Sequence, residues 1–144
     1  MTKIGGNFSL NSTLEADTFP VMDLRLSTVR LMNDNRYPWV IVIPRVAGAE
    51  EIFDLTRAQQ ALLTDETNAV AKALSSITDP TKMNIGALGN IVRQLHIHVI
   101  ARFETDLTWP GPVWGVGERE PYNDNGQAFI SLLKSELALQ LQQV

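Results

Sequence analysis

Two histidines, His96 and His98, are the only imidazoles in a chain of 144 residues. They lie in the segment GNIVRQLHIHVIARF, Gly89 to Phe103. From Leu95 onward the odd positions are Leu95, Ile97, Val99, Ala101 and Phe103. The even positions are Gln94, His96, His98, Ile100 and Arg102. Alternation of this length predicts a β-strand with one face in a core. Gln94, His96 and His98 then line the other face in steps of roughly 6.5–7 Å. Three readings of that row are open. The imidazoles can be incidental on a half-exposed strand. They can be half of a zinc or iron site, since His-x-His on a strand offers two ligands. With no third histidine and no cysteine, only carboxylates could complete such a site. Or one imidazole can be a nucleophile, because a neutral ring nitrogen attacks phosphorus at pH 7 without a thiol, hydroxyl or metal to activate it.

The elements that must position this row follow from pattern. Residues 8–21 are mixed, anchored by Phe8, Leu10, Leu14 and Phe19, and part of them reads as a short helix or an edge strand. Leu24–Met32 reads as a strand and Asn33–Pro38 as a turn by composition. Trp39–Ile43 is fully apolar and β-branched, hence a central buried strand forming an antiparallel hairpin with the one before it. Thr56 and Gln59 have capping-box spacing and open a helix that runs to about residue 77, with Leu55, Ala58, Leu62, Ala69, Ala73 and Ile77 near helical spacing. Asp79-Pro80 ends it. Met83–Ala87 is a further short strand. Gly86 and Gly89 break the apolar pattern, as a turn needs or as close approach to a bound group needs. After the histidine strand, Trp109–Gly117 is a loop of two prolines and three glycines. Trp109 and Trp114 either pack that loop onto the body or stack on a nucleobase. A last helix spans about Asp124 to Gln142, with Phe129, Leu133, Leu137 and Leu141 on one side. Strands, a long helix, strands and a terminal helix make an α+β fold with an antiparallel sheet.

Composition narrows the partners. The length suits one domain, residues 1–144, with a sizeable core. A net charge of −4 is wrong for tracking an extended nucleic-acid backbone, while a small phosphorylated ligand needs only a few local donors. The absence of cysteine removes disulfides and thiolate chemistry and fits the cytoplasm. The start, MTKIGGNFSL, has no apolar h-region, and no apolar run is long enough to cross a membrane.

The stretch from Asn84 through Gly86, Gly89, Asn90, Val92, Gln94, His96 and His98 to Ile100 resembles the signature of the histidine-triad (HIT) superfamily. That signature is His-φ-His-φ-His-φ-φ on a strand preceded by a glycine and an amide residue. The resemblance extends to Leu31–Asp34 with the strand Trp39–Pro44, and to the tail Trp109–Gly115, which is similar to a bacterial branch labelled diadenosine-polyphosphate hydrolase-like. Here Gln94 stands at the first triad position, His96 at the middle and His98 at the third. The resemblance implies an antiparallel sheet of about five strands, one long central helix, a C-terminal helix and a homodimer. It also implies cleavage at the α-phosphate of a nucleotide conjugate, such as a dinucleoside polyphosphate, through a nucleotidyl-histidine on His96. The Gln94 carbonyl would orient His96, and His98 would donate to a phosphate oxygen. The Gln94 amide would add a weaker, uncharged donor and slow turnover. Asn84, Gly89 and Asn90 would contact phosphates, Asn33 or Asp34 the ribose hydroxyls, and Trp109 and Trp114 the base. No cofactor is expected beyond a divalent cation accompanying the nucleotide. Arg102 reads as a surface or dimer residue. The alternatives are a nucleotidyl transferase using the same intermediate, and a nucleotide-binding protein with weak catalysis.

Overall fold

The computed structural model describes residues 7–142. Residues 1–6, part of the start read above for a signal segment, lie outside the described residues. In chain order come α1 (Ser12–Asp17), β1 (Thr18–Asp23), β2 (Ser27–Met32), β3 (Trp39–Pro44), a 3-10 turn (Ile52–Asp54), α2 (Arg57–Thr78), β4 (Lys82–Gly86), β5 (Ile97–Arg102) and α3 (Gln127–Leu141). The five strands form one sheet in the order β1-β2-β3-β5-β4, with every neighbouring pair antiparallel. This is the α+β architecture the element order predicts. No helix among the described residues is long and apolar enough to cross a membrane.

Helix α2 begins as its sequence predicts. The Thr56 side chain accepts from the Gln59 N–H, and the Gln59 side chain accepts from the Thr56 N–H. It stops at Asp79, whose left-handed conformation (φ 51°) turns the chain out before Pro80. Its buried side is Leu63, Ala69, Val70, Ala73 and Leu74, with Glu66 and Thr67 among them. The expected stripe is therefore corrected at its start, because Ala58 is exposed and Leu62 only partly covered. The buried Glu66 disguised the true face. Its two carboxylate oxygens accept from the Leu26 and Ser27 N–H groups, each at 2.9 Å. Those bonds also explain why β2 starts at Ser27 and not at Leu24. Residues 24–26 form the β1–β2 turn, closed by Leu24 N–H to the Ser27 carbonyl at 2.7 Å.

Both sheet faces are covered. Val29, Leu31, Val40, Val42, Ile97, Val99 and Ala101 face α2 and α3 in the main core. Leu14, Tyr37, Trp39, Ile41, Ile43, Ile100 and Val113 form a second cluster on the other face. Strand β3 sits between two neighbours and is buried at all six positions, which is why it is apolar throughout. Helix α3 starts at Gln127, three residues later than the pattern suggests, because Asp124 caps it by accepting from Gly126 and Ala128 N–H. Gly126 has φ +71°, and a Cβ there would stand 2.5 Å from Cδ2 of Leu31, so the position requires glycine.

Candidate active site

The register of β5 assembles the site. His98 lies opposite Ile41 of β3 and Gly86 of β4, while Ile100 lies opposite Trp39 and Asn84. Paired residues share a face, so Trp39, Ile41, Asn84, Gly86, His98 and Ile100 all look the same way. The odd residues Leu95, Ile97, Val99 and Ala101 point into the main core, as alternation predicts. The strand itself begins at Ile97, so His96 directly precedes it and Gln94 lies in the bend before. The even face is not half-exposed, however. His96 and His98 are only 7% and 6% exposed, because the second apolar cluster roofs this face, with Phe8, Leu10 and Trp114 packed against it. Two incidental imidazoles would not be buried together at this cost.

Each ring is held through one nitrogen. Nδ1 of His96 lies 2.6 Å from the Gln94 carbonyl oxygen. A carbonyl can only accept, so Nδ1 carries the proton, and in the neutral ring Nε2 keeps its lone pair. Nδ1 of His98 lies 3.0 Å from Nε1 of Trp39. The ring centroids of His96 and His98 are 4.9 Å apart. Burial, and then the neighbouring His96, push His98 down to about 4, so its ring is neutral at pH 7. Among the described residues, neither Nε2 has a hydrogen-bond partner. Sequence reading treated Trp39 as core alone. The signal available was an indole N–H in a strand buried on both sides, which needs an acceptor on an adjacent strand.

Gln94 is corrected. Its side chain does not turn toward the histidines' free nitrogens. Oε1 accepts from the Asn11 N–H and Nε2 donates to the Ser9 carbonyl, each at 2.9 Å. The amide presents a donor and an acceptor side by side, as a backbone strand would, and clamps the N-terminal segment beside the site. Its carbonyl serves His96 while its side chain holds residues 9–11.

Arg102 is also corrected. It is 1% exposed and neither a surface nor an interface group of this chain. It donates to both Asp106 oxygens (2.8 and 3.1 Å), to Oδ1 of Asn84 (2.9 Å), to Thr108 Oγ1 (3.2 Å) and to the Gly111 carbonyl (2.8 Å). Burial raises the Asp106 carboxyl, but the Arg102 bonds and the Phe103 and Trp109 N–H groups outweigh it and hold it below the usual carboxylate range. Asn84 thus sits diagonal to His98 with its amide orientation set by Arg102.

The two tryptophans separate. Trp114 packs edge-on against His98, with centroids 5.3 Å apart, and the tip of its ring lies over Gly86. Its Nε1 is buried without a partner among the described residues. Trp109 belongs to the other end of the strand. Its backbone N–H donates to Asp106 and the Arg102 guanidinium lies 5.8 Å from its ring centre. The structure thus gives Trp109 a packing role.

Asn33 and Asp34 are drawn into loop anchoring. Asp34 is 2% exposed, and its oxygens accept from the Arg36 side chain and from the Arg36 and Glu120 N–H groups. Burial raises its carboxyl, and the Arg36 bonds more than reverse that. With both oxygens engaged, Asp34 is not free for ribose hydroxyls. Oδ1 of Asn33 accepts from the Tyr122 N–H at 2.9 Å. Gly89 (φ +76°) makes the turn before the exposed Asn90 in the β4–β5 connection. Among the described residues there is no group of three or more His, Cys, Asp or Glu able to share a metal ion.

The chain resembles solved structures over almost its whole length. A histidine triad (HIT) protein from Sinorhizobium meliloti is 51% identical, with 90% of this chain and 96% of that one covered and a TM-score of 0.87. A histidine triad protein from Bradyrhizobium japonicum is 46% identical, with 90% and 98% covered and a TM-score of 0.88. A third, from Marinobacter aquaeolei, is 44% identical, with 96% and 98% covered and a TM-score of 0.86. No curated protein matches the chain. HIT proteins are typically nucleotide hydrolases or transferases and often form dimers. The HIT domain model matches residues 13–105, and with three bacterial histidine triad proteins at 44–51% identity this chain belongs to the HIT family.

Proposed function

We propose that the protein is a nucleotide phosphohydrolase that cleaves at the α-phosphate of a nucleotide conjugate, with a dinucleoside polyphosphate as the model substrate. The supporting observation is the bond from His96 Nδ1 to the Gln94 carbonyl, which leaves Nε2 as a free lone pair beside a second imidazole. Nε2 of His96 forms a bond to the α-phosphorus as the bond to the bridging oxygen breaks, and the departing phosphate leaves with the electron pair. Water then attacks the same phosphorus, the N–P bond breaks back to His96, and a nucleoside monophosphate is released. His98 donates from Nε2 to an oxygen where charge builds. Asn84, Gly89 and Asn90 contact phosphates and Trp114 lines the base side. A divalent cation would arrive with the phosphate chain. A cytoplasmic homodimer is the form in which we expect the enzyme to work.

Hydrolysis in 18O-labelled water tests the point of attack. The label should enter the nucleoside monophosphate alone. Label found only in the polyphosphate product would place cleavage elsewhere and remove His96 from the α-phosphate.

A further inference from the structure

We infer that Trp39 is a positioning residue that fixes the tautomer of His98, so that the two imidazoles are held in opposite protonation patterns. His96 has a free Nε2 lone pair, and His98 has an Nε2 proton to donate. The role in turnover rests on the hydrolase reading above; the tautomer itself does not.

Two partners of fixed character enforce the pattern. The Gln94 carbonyl can only accept, and it meets Nδ1 of His96 at 2.6 Å. The Trp39 indole can only donate, and it meets Nδ1 of His98 at 3.0 Å. Nδ1 of His98 must therefore be bare, which puts the proton of the neutral ring on Nε2. A hydroxyl or a water in place of Trp39 could rotate to accept, and would leave either tautomer open. The indole cannot. It is 7% exposed and its position is set by the β3–β5 register, with Trp39 opposite Ile100 and Ile41 opposite His98.

The same contact opposes protonation of His98. An imidazolium would set its Nδ1–H against the indole N–H. Around His98, the approach to β5 contributes His96, β3 contributes Trp39 and Ile41, β4 contributes Gly86 and the loop after β5 contributes Trp114. His96 is the one titratable group among them. No carboxylate there stabilises a cation, consistent with a ring pushed down to about 4. His98 is then a neutral donor whose Nε2 proton is present across the neutral range, while the adjacent His96 is poised with the complementary nitrogen bare.

Nitrogen-15 NMR of histidine-labelled protein without nucleotide, from pH 5 to 8, reads the tautomers directly. We expect His98 protonated on Nε2 and bare on Nδ1 throughout, with the proton of His96 on Nδ1 wherever that ring is neutral. Trp39→Phe keeps an aromatic ring and loses the donor. His98 should then populate both tautomers and titrate at least about one unit higher. In turnover, kcat at pH 7 should fall roughly two- to tenfold with little change in KM. The ratio of variant to wild-type kcat should recover as pH falls through the variant's His98 titration, because the imidazolium regains its Nε2 proton. A packing role alone would not produce that recovery. An Nδ1-protonated His98 in the wild type overturns the inference, as does an unchanged tautomer in Trp39→Phe. If the variant does not fold, the wild-type spectrum still decides. If no nucleotide is turned over, the hydrolase reading fails while the tautomer result stands.

Discussion

The buried face of β5 carries polar groups at both ends, and the two ends are built on opposite principles. At the Arg102 end the guanidinium meets two oxygens of Asp106, one of Asn84, one of Thr108 and one of Gly111. At the histidine end each ring is bonded through Nδ1 alone. Burial is similar, at 1% against 6–7%. The difference lies in how completely hydrogen-bonding capacity is used. A buried group with every donor nitrogen engaged fixes a loop and has little left to offer a ligand. A buried ring with one nitrogen matched has its tautomer set and its other nitrogen available. Polar burial marks both ends, and only the unmatched atoms mark chemistry.

Arg102→Met breaks the matched end and should have the largest effect on stability. It strands the Asp106 carboxylate, itself buried, and should cost about 3–5 kcal/mol. Denaturant unfolding measures this. A cost under about 1 kcal/mol would show that the network is not what holds the 103–111 turn.

The two ends should also differ in acid. His98 titrates near 6.5 when unfolded and near 4 when folded. Between those values the unfolded chain binds a proton the native state does not, so stability falls as pH drops from about 6.5 to about 4. The loss should approach 3 kcal/mol. Asp106 has a lowered carboxyl, so the stability it contributes is lost only below the ordinary carboxylate range. His98→Gln keeps an acceptor for Trp39 and should flatten the upper limb of the pH–stability curve while leaving the lower one. An unaltered upper limb would assign it to other groups.

The tryptophans carry the comparison into the loop. Trp114→Ala should weaken nucleotide binding by a factor of about 5 to 150 through lost stacking. Trp109→Ala should lower the melting temperature and leave affinity per folded molecule unchanged. Equal losses of affinity from both would dissolve the distinction between the two ends.

The smallest expected effect is at Gln94. An imidazole cannot offer a donor and an acceptor side by side, so Gln94→His should release residues 9–11, costing about 1–2 kcal/mol. Hydrogen exchange of the Asn11 N–H should accelerate. An unchanged exchange rate would show that the clamp is not made in solution.

Local features of the fold were legible because their causes are local. The Thr56–Gln59 box, the Asp79-Pro80 stop and the odd-even alternation of β5 are each written within a few residues. Part of what escaped was set by contacts distant in sequence, and part by local side chains whose direction the sequence does not fix. Gln94 bonds residues 83 and 85 positions away, and Trp39 reaches His98 across 59. Arg102 looked like a surface group because nothing near it announces that β4 and the 106–111 turn will fold over it. Asp34 looked available because Arg36, two residues on, could as well have pointed to solvent. The partner of His96 was implied by the family resemblance, and it survives the change to Gln94 because it is a backbone carbonyl two residues back, present whatever the side chain.

If the free Nε2 of His96 is the nucleophile, the nucleotidyl intermediate can be trapped on it. Protein mixed with an α-labelled dinucleoside polyphosphate, quenched in alkali within the first turnover and mapped by mass spectrometry should carry an acid-labile nucleotidyl group on His96. The same group on His98, with none on His96, would contradict it.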